Sequence, residues 1–273
     1  MTLNIDNLCE KIHALRKLHA LDEFVLGLSG GVDSVALFNI LLSYRIRFPD
    51  IKLTVIHVDH QLQSDSSTWA SFCHNLCIDN NVVYQCLPVQ VLDSKRKGLE
   101  AAARDARYTA FTNVMRAKKH ACLLLAHHAN DQVETVFMRL IQGTGIHGLC
   151  GIHETTNRDG YLIFRPLLQF SKYELENLCE NLNQPHCIDY SNTSQKMTRN
   201  HLRHKLIPLL EQKWPACIDT ISKQVMVCQE EVQGFSDVLS FQYMSLKGSY
   251  AGLDYLPTDS FNQLTRQNRL VLL

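Results

Sequence analysis

Phe24-Val-Leu-Gly-Leu-Ser-Gly-Gly-Val-Asp-Ser-Val-Ala-Leu37 is the stretch of sequence that decides the fold. It opens with a short apolar run typical of a buried strand, two adjacent glycines break that run, and aliphatic residues then predict a helix. Glycines at such a turn let backbone N–H groups close on a ligand, and the helix start adds partial positive charge. The stretch therefore predicts a strand, a phosphate-binding loop and a helix.

The loop matches neither of two common nucleotide-binding patterns. No Lys follows its glycines as in the Walker A pattern G-x-x-x-x-G-K, and the glycine spacing is not G-x-G-x-x-G. The alternative to a phosphate loop is a glycine turn that feeds a helix, with Ser29 or Asp33 only capping that helix.

Strand and helix alternate four times in the first half of the chain. The predicted strands are Phe24–Leu28, Leu53–Val58, Val82–Leu87 and Ala121–Ala126. The helices that follow them are Val35–Ile46, Ser66–Asn80, Leu99–Lys118 and Asp131–Gln142. This alternation predicts an α/β fold, a Rossmann-like parallel sheet with helices on both faces, whose ligands bind at the carboxyl ends of the strands.

The flanking segments predict three parts. Residues 1–23 hold a helix, Ile5–Leu21, that packs on the core; 24–214 form the main domain, which a helix from about Arg199 to Leu210 closes; and 215–273 form a smaller helical domain. Small polar residues predict a loop over Gly143–Tyr161, and Ser171 with Glu174 predicts a capped helix. The apolar, uncapped end Leu270–Leu273 leads us to expect a truncated chain.

Charge and cysteine usage exclude several classes of protein. The 27 basic and 27 acidic residues balance, so any contact with nucleic acid must be local. The ten cysteines include no C-x-x-C pair, which argues against a zinc ribbon or a cysteine-held iron–sulfur site and fits reduced thiols. Charges interrupt the first twenty positions and no apolar run could span a bilayer, so we expect a soluble, cytoplasmic protein without a membrane partner.

Polar residues end the second predicted strand, in His57-Val-Asp-His-Gln61. Asp59 and His60 should point into the same crevice as the glycine loop, because the carboxyl ends of parallel strands meet at one edge. The alternative is a polar strand end with solvated side chains.

A basic helix is predicted at Leu99-Glu-Ala-Ala-Ala-Arg-Asp-Ala-Arg-Tyr108. Glu100, Arg104 and Arg107 share one helical face, and the alanines let another backbone come close. Eight basic residues stand against two acidic ones between Lys95 and Lys119, a patch that suits an RNA backbone. A solvated, ion-paired helix would show the same spacing.

Two carboxylates open the next helix, in Leu125-Ala-His-His-Ala-Asn-Asp-Gln-Val-Glu-Thr135. Asn130 is a good helix cap, and Asp131 and Glu134, three apart, then face the same way. Such a pair can hold Mg²⁺ or an ammonium group, or it only favours a helix N-terminus. His127 and His128 lie nearby, but nothing else in the sequence completes a zinc site.

Six stretches together carry a resemblance to a known family. Leu28–Ser34 resembles the Ser-Gly-Gly-x-Asp-Ser loop of the N-type ATP pyrophosphatases. Five further stretches follow this loop, and the six together, in this order, resemble the sequences of the tRNA(Ile)-lysidine synthetase family of that superfamily. The five further stretches are His57–Leu62, Leu99–Tyr108, Ala126–Thr135, Arg139–Leu149 and Arg199–Arg203. The resemblance covers about Phe24 to Leu210 and implies an adenine nucleotide α-hydrolase-like fold.

The resemblance also implies an activity. Enzymes of this family use ATP to adenylate the wobble cytidine in the CAU anticodon of tRNA(Ile), then join free L-lysine to it, releasing AMP and pyrophosphate and changing decoding from AUG to AUA. The implied cofactors and partners are ATP, Mg²⁺, free L-lysine and tRNA(Ile), with a homodimer left open.

Roles for particular residues follow from the same resemblance. The residues implied to bind ATP are Ser29, Gly30, Gly31, Val32, Asp33, Ser34 and Asp59. Asp33 would also hold Mg²⁺, Asp131 and Glu134 would bind the lysine, and these three with Arg107 form the implied catalytic set. The implied contacts with tRNA are Arg104, Lys196, Arg199, Arg203, Lys205, the Gly143–Gly151 loop and residues 215–273.

Rival functions make different demands on the sequence. A tRNA cytidine thiolase of the same superfamily should show paired cysteines for sulfur or cluster handling. An asparagine or GMP synthetase should show a glutaminase domain or an ammonia route. A non-catalytic nucleotide-binding module would need the first loop but neither Asp131, Glu134 nor the basic helix.

Overall fold

The computed structural model describes residues 3–62, 66–92, 98–188, 198–250, 253–255 and 257–266. The strands are β1 Glu23–Gly27, β2 Lys52–Asp59, β3 Val83–Pro88, β4 Ala121–Leu124, β5 Thr155–Arg158, β6 Tyr161–Phe164, β7 Gly248–Tyr250 and β8 Leu253–Tyr255. The helices are α1 Ile5–Leu18, α2 Val32–Arg47, α3 Ser66–Asp79, α4 Leu99–Met115, α5 Ala129–Ile141, α6 Ile146–Leu149, α7 Lys172–Asn181, α8 Thr198–His201, α9 Ile207–Lys213, α10 Cys217–Leu246 and α11 Thr258–Gln263. A π-helical turn, Leu202–Leu206, joins α8 to α9.

The large sheet has six strands in the order β3-β2-β1-β4-β6-β5. β1 pairs in parallel with β2 and β4, and the outer pairs β2–β3 and β4–β6 are also parallel. β5 is antiparallel to β6 at one edge. The chain runs from β1 outward to β3 and then returns to the other side of β1 with β4, so the strand order reverses between β1 and β4. The predicted α/β fold with a mainly parallel sheet is confirmed.

Buried side chains cover both faces of the sheet. On one face Phe24 and Leu26 of β1 belong to a large core that includes residues of α1, α2, α3 and α7. On the other face Val25 packs in a cluster with Tyr108 and Phe111 of α4. Successive residues of a strand point to opposite faces, so a continuous apolar run is what a sheet covered on both sides requires.

The N-terminal helix α1 is part of the core. It begins after Asn4, whose side-chain oxygen accepts a hydrogen bond from the backbone N–H of Asn7 at 3.1 Å. Leu8 and Ile12 are buried in the core shared with α2. The helix ends at Leu18, three residues before the predicted end.

The predicted loop over Gly143–Tyr161 is wrong in part. This segment contains α6 and β5, and β6 begins at its last residue. β5 reads Thr-Thr-Asn-Arg and is mostly exposed at the sheet edge, and β6 has only four residues. Elements this short and polar carry too little periodicity to be recognised in a sequence.

The predicted helical C-terminal region is confirmed, and its described residues also include two short strands. α10 spans Cys217–Leu246 as predicted, but β7 and β8 pair antiparallel after it, with Gly248 opposite Tyr255. Ile218 of α10 is buried with Ala129 and Val133 of α5. The helix that begins this region therefore packs on the first main-domain helix after β4.

Cysteines and helix hydropathy add two observations. The ten cysteines are free thiols, and six of them are buried. Within the described ranges, no helix has both the length and the apolar character that crossing a membrane requires.

Ile12→Ala tests whether α1 belongs to the folding core. The Ile12 side chain is fully buried, so we expect its truncation to lower the free energy of unfolding by about 2–5 kcal/mol, measured by urea denaturation. Leu18→Ala on the same helix is the matched control, because Leu18 is 78% exposed; its effect should stay within about 0.5 kcal/mol. Equal effects of the two changes would show that α1 packs differently.

Candidate active site

Three loops meet where the strand order reverses. β1 and β4 are neighbours with Leu26 opposite Leu124, so both strands end at the same level. The glycine loop follows β1, the segment Leu125–His128 follows β4, and β2 on the other side of β1 ends at Asp59. Ligands of open α/β sheets bind outside the carboxyl ends of the strands at such a switch point. The candidate site is therefore built from the loops after β1, β2 and β4.

The glycine loop is shaped by its two serines. The Ser34 hydroxyl donates to the backbone oxygen of Gly31 at 2.9 Å, and the backbone N–H of Ser29 donates to Oγ of Ser34 at 3.2 Å. Gly30 has a φ of 89°, and a Cβ atom at this position would lie 3.3 Å from Sγ of Cys187. The positive φ therefore strongly favours glycine at position 30, and the nearby thiol leaves little room for a Cβ atom.

The N-terminus of α2 has no side-chain cap that would compete with an anion. Its N-cap residue is Gly31, which makes no side-chain capping bond. The first N–H groups of a helix have no acceptor within the helix, and the helix dipole adds partial positive charge at the same end. This geometry favours phosphate binding over the alternative of a merely capped turn.

Asp33 has one carboxylate oxygen without a partner. Its Oδ1 atom is buried and makes no hydrogen bond to the described part of the chain, while Oδ2 lies 3.6 Å from Nε2 of His128. Mg²⁺ in nucleotide sites uses one or two protein carboxylates, and phosphates and waters complete its shell. Across the described ranges, no group of three or more His, Cys, Asp or Glu side chains could hold a metal. Asp33 thus fits a metal ion that arrives with phosphates.

The end of β2 contributes Asp59 and His60. Oδ1 of Asp59 accepts a hydrogen bond from the backbone N–H of Gln61 at 2.8 Å, so this oxygen stabilises the local turn. Nε of Arg107, on α4, donates to Nε2 of His60 at 3.4 Å. Burial, with the Arg107 charge adding to it, lowers the pKa of His60 to about 4. His60 is therefore neutral at pH 7 and can accept this bond.

The start of α5 differs from the prediction. The N-cap residue is His128, whose backbone N–H donates to Oδ2 of Asp131 at 3.0 Å. Asn130, predicted as the cap, lies inside the helix and accepts a hydrogen bond from the backbone N–H of Lys172 at 2.9 Å. That prediction is wrong because Asp131 supplies the capping bond, so the helix can begin after a residue that is not a usual N-cap.

Glu134 is fully buried and paired with two arginines. Nε of Arg199 donates to its Oε2 at 2.7 Å, and Nε of Arg203 donates to its Oε1 at 2.6 Å. Arg199 also lies 3.4 Å from Oδ1 of Asp131 and 3.5 Å from Oε1 of Glu100. A buried carboxylate needs charged or hydrogen-bonding partners of this kind to stay ionised.

The two arginines come from a distant part of the chain. Arg199 lies on α8 and Arg203 in the π-helical turn, and with α9 these form the uninterrupted helical run predicted over Arg199–Leu210, whose middle turn is π-helical. Residues four apart on a helix point to the same side, which lets both reach Glu134. Both were predicted to contact tRNA, and in this structure their guanidinium groups face the acidic pair.

Other predicted contacts with tRNA lie on the surface. Lys205 is exposed in the π-helical turn. Arg104 is exposed on α4, and its guanidinium lies 5.1 Å from the centre of the Tyr108 ring. Lys196 lies outside the described residues.

Electrostatics keep Asp131 ionised. Burial alone would raise the pKa of Asp131, but its neighbours His128, His127 and Arg199 outweigh burial and hold that pKa at about 2. Burial lowers the pKa of His127 to about 3. Burial would also lower the pKa of His128, yet Asp131 and Asp33 outweigh it and raise that pKa. The Asp131 carboxylate, in the first turn of α5, is thus negatively charged at neutral pH.

The segment Gly143–Gly151 is anchored from two helices. Nη1 of Arg139, on α5, donates to the backbone oxygens of Gly148 at 2.5 Å and Gly151 at 2.8 Å. Nε2 of Gln229, on α10, donates to the backbone oxygen of Cys150 at 2.5 Å. The segment is therefore held against the same helix that carries the acidic pair.

Three groups of contacts in this site were not predicted from the sequence. His128 lies between Asp33 and Asp131, the arginines pair with Glu134, and Arg107 contacts His60. The spacing of four between Arg199 and Arg203 is compatible with a shared helical face, but no sequence pattern identifies a partner 65 residues away.

Comparison with known families matches residues 4–210 to the PP-loop domain family. Curated relatives are tRNA(Ile)-lysidine synthases. The one from Shewanella woodyi is 34% identical over 240 residues, 88% of this chain and 51% of the relative. Those from Legionella pneumophila strain Lens and Serratia proteamaculans are 32% and 34% identical, covering 78% and 85% of this chain and 48% and 52% of the relatives. The chain spans about half the length of the curated relatives it matches.

Among solved structures, the chain is similar to the U34-tRNA thiolase NcsA from Methanococcus maripaludis with its [4Fe-4S] cluster. The TM-score is 0.68 at 18% sequence identity, and the similarity covers 83% of this chain and 80% of the other. At this identity the similarity shows a shared fold alone.

Glu134→Gln tests the buried ion pairs. We expect it to lower the free energy of unfolding by about 2 kcal/mol, because two guanidinium groups lose an anionic partner. The loss is smaller than for a fully buried pair because Arg199 and Arg203 remain 24% and 31% exposed. Glu176→Gln, whose ion pair with Lys172 is exposed, should change stability by less than about 0.5 kcal/mol in the same urea titration. Indistinguishable midpoints for the two variants would contradict the pairing.

Proposed function

The chain belongs to the PP-loop domain family, and we propose that it catalyses the ATP-dependent joining of free L-lysine to the wobble cytidine in the CAU anticodon of tRNA(Ile). One observation carries this proposal: a helix N-terminus without a side-chain cap and a cluster of paired charges face the same switch point of the sheet. The activity of the curated relatives, which this chain matches over about half their length, supports it.

The proposed chemistry has two steps. The carbonyl carbon of cytosine is a poor electrophile and its oxygen a poor leaving group, so that oxygen first attacks the α phosphorus of ATP. Pyrophosphate leaves, and the cytidine becomes an adenylate. The side-chain amine of lysine then attacks the activated carbon, forms the new carbon–nitrogen bond and displaces AMP.

The phosphate half of the site consists of the glycine loop and the start of α2. In the proposal the N–H groups of Val32, Asp33 and Ser34 stabilise negative charge on the departing pyrophosphate. Ser29, Gly30 and Gly31 give the loop its shape, and Asp59 contacts the nucleotide. Asp33 would hold Mg²⁺ through Oδ1, and a bound ion would supply positive charge beside the phosphate oxygens.

The lysine half of the site consists of the charged cluster on α5. A free amino acid carries ammonium and carboxylate groups, and Asp131, Glu134, Arg199 and Arg203 together present partners for both. Asp131 is the more accessible acid, since its side chain is 13% exposed and that of Glu134 is fully buried. The side-chain amine of lysine has an unperturbed pKa of about 10.4, so it arrives protonated and needs a carboxylate that can hold it and accept a proton.

RNA binding is assigned to exposed cations outside the phosphate and lysine halves of the site. Arg107 and Arg104 lie on α4 beside the crevice, and Lys205 lies in the π-helical turn. Guanidinium and ammonium groups bind phosphates without reading sequence, so these residues would position the anticodon loop. In the proposal residues 215–273 contact the body of the tRNA, and the substrates place the enzyme in the cytoplasm.

A tRNA cytidine thiolase is the second candidate, because two thiols flank the glycine loop. A Cβ atom on Gly30 would lie 3.3 Å from Sγ of Cys187 and 3.4 Å from Sγ of Cys73. Burial raises the pKa of both thiols, so neither is a strong nucleophile at neutral pH. Lysine transfer remains the better-supported proposal.

A reaction with defined substrates tests the proposal. We expect the protein, ATP, labelled lysine and a tRNA(Ile) transcript with a CAU anticodon to yield labelled RNA and an equal amount of AMP. Mass analysis of the nucleosides should show lysidine. A transcript with uridine at the wobble position is the control and should stay unlabelled. ADP formation without label transfer, or a sulfur-containing cytidine, would rule out the proposed function.

Asp131→Asn tests the lysine half separately. Loss of the negative charge should raise the KM for lysine by about tenfold, because an ionised acceptor is worth more than a neutral one, while the KM for ATP changes less. Steady-state kinetics with each substrate varied in turn provide the measurement, with Glu176→Gln as control. A larger effect on ATP than on lysine would contradict the assignment.

A further inference from the structure

We propose that His128 is a positioning residue that holds Asp33 of the phosphate half and Asp131 of the lysine half in one fixed arrangement. This inference rests on the proposed function, since it concerns the relative placement of the two substrates. His128 itself is not assigned a contact with either substrate.

The contacts of His128 join the two halves directly. Its Nε2 atom lies 3.6 Å from Oδ2 of Asp33 and 3.6 Å from Oδ2 of Asp131. Asp33 is in the first turn of α2, and Asp131 is in the first turn of α5. A single ring nitrogen therefore faces one carboxylate from each half of the site.

Burial and backbone contacts fix the imidazole in place. His128 is 3% exposed, and its backbone N–H is bound to Oδ2 of Asp131 at 3.0 Å. His128 is the N-cap residue of α5, and its backbone cannot move without losing this hydrogen bond. Since two acceptors face Nε2, the proton-bearing nitrogen of the ring is assigned there.

Removal of the imidazole would take away the one ring nitrogen that Oδ2 of Asp33 and Oδ2 of Asp131 both face. Like charges without a donor between them repel and rotate apart, which would move the oxygen proposed to hold Mg²⁺ relative to the acid proposed to hold lysine. Because both steps need reacting atoms within contact distance, a small displacement lowers the rate as well as the affinities. Asp131→Asn, by contrast, removes a charge from the lysine half and leaves the imidazole that faces Asp33 in place, so it should affect lysine more than ATP.

Two substitutions of His128 separate a positioning role from mere packing. His128→Leu keeps a similar volume and removes the donor, whereas His128→Gln keeps an N–H donor without a ring. We expect the leucine variant to raise the KM for lysine and the KM for ATP and to lower kcat, each by about tenfold. The glutamine variant should recover most of each loss. A packing role would give the opposite order, since leucine fills the site better than a polar amide.

His13→Leu is the matched control for loss of a packed imidazole. His13 stacks on Phe48 at 3.9 Å between ring centres and contacts the Tyr44 hydroxyl at 3.1 Å, at the end of α2 away from the glycine loop. Its replacement should leave both KM values and kcat unchanged at a temperature where circular dichroism shows each variant folded. If His128→Leu does not fold, the kinetics of His128→Gln and His128→Asn, compared under the same conditions, carry the test. The longer glutamine should keep kcat within about threefold of the unsubstituted protein, and the shorter asparagine should not.

The outcomes are distinct for the inference and for the proposed function. If the unsubstituted protein forms no lysidine, the proposed function fails. If the unsubstituted protein forms lysidine, two results would overturn the inference about His128. One is a His128→Gln variant as impaired as His128→Leu, or as impaired as His128→Asn where the leucine variant does not fold. The other is a fully active His128→Leu variant. Loss confined to lysine affinity would overturn it as well, because a link between the halves must affect both substrates.

Discussion

Parallel pairing of β1 with β4 is the constraint on which the site depends. The two strands are hydrogen-bonded from Glu23 opposite Ala121 to Leu26 opposite Leu124, and the loops that follow them diverge from one edge of the sheet. A register slip of one residue would turn each buried side chain to the other face, so apolar cores on both faces keep the strands aligned. This alignment places the start of α2 beside the start of α5, although about a hundred residues separate them in the chain.

Burial of charge is the second constraint on the crevice. Glu134 cannot be fully buried without partners, and Arg199 and Arg203 neutralise it from a segment that closes over α5. Arg199 and Arg203, which the sequence resemblance assigns to tRNA contacts, therefore balance the charges of Asp131 and Glu134 in this structure. Any amino acid that enters the crevice meets a cluster whose charges already pair with each other. An amino acid bound there, as proposed, would exchange ion pairs rather than fill an uncompensated acidic site.

Helix α5 connects the crevice to the C-terminal region. The first turn of α5 carries Asp131, and its apolar side packs against Ile218 of α10. Its last turn carries Arg139, which donates hydrogen bonds to the segment Gly143–Gly151, called here the glycine segment. Gln229 of α10 binds the glycine segment from the other side. One rigid element therefore touches the lysine half of the proposed site, a proposed RNA contact and the helix that begins the C-terminal region. The short strands β7 and β8 follow α10 in the chain and pair with each other.

The sequence by itself determined the alternation of strand and helix, the glycine loop, and the position of Asp131 and Glu134 at the start of a helix. Periodicity and glycine chemistry act over a few residues, so a pattern is enough to reveal them. The sequence could not reveal β5, because its four polar residues have no apolar periodicity. It also could not show that His128 rather than Asn130 is the N-cap of α5. Only the tertiary structure decided that Arg199 and Arg203 pair with Glu134 and that His128 lies between two carboxylates. These contacts join residues far apart in the chain. A buried charge must be paired, but the sequence does not show which residue pairs with it, because that depends on the fold.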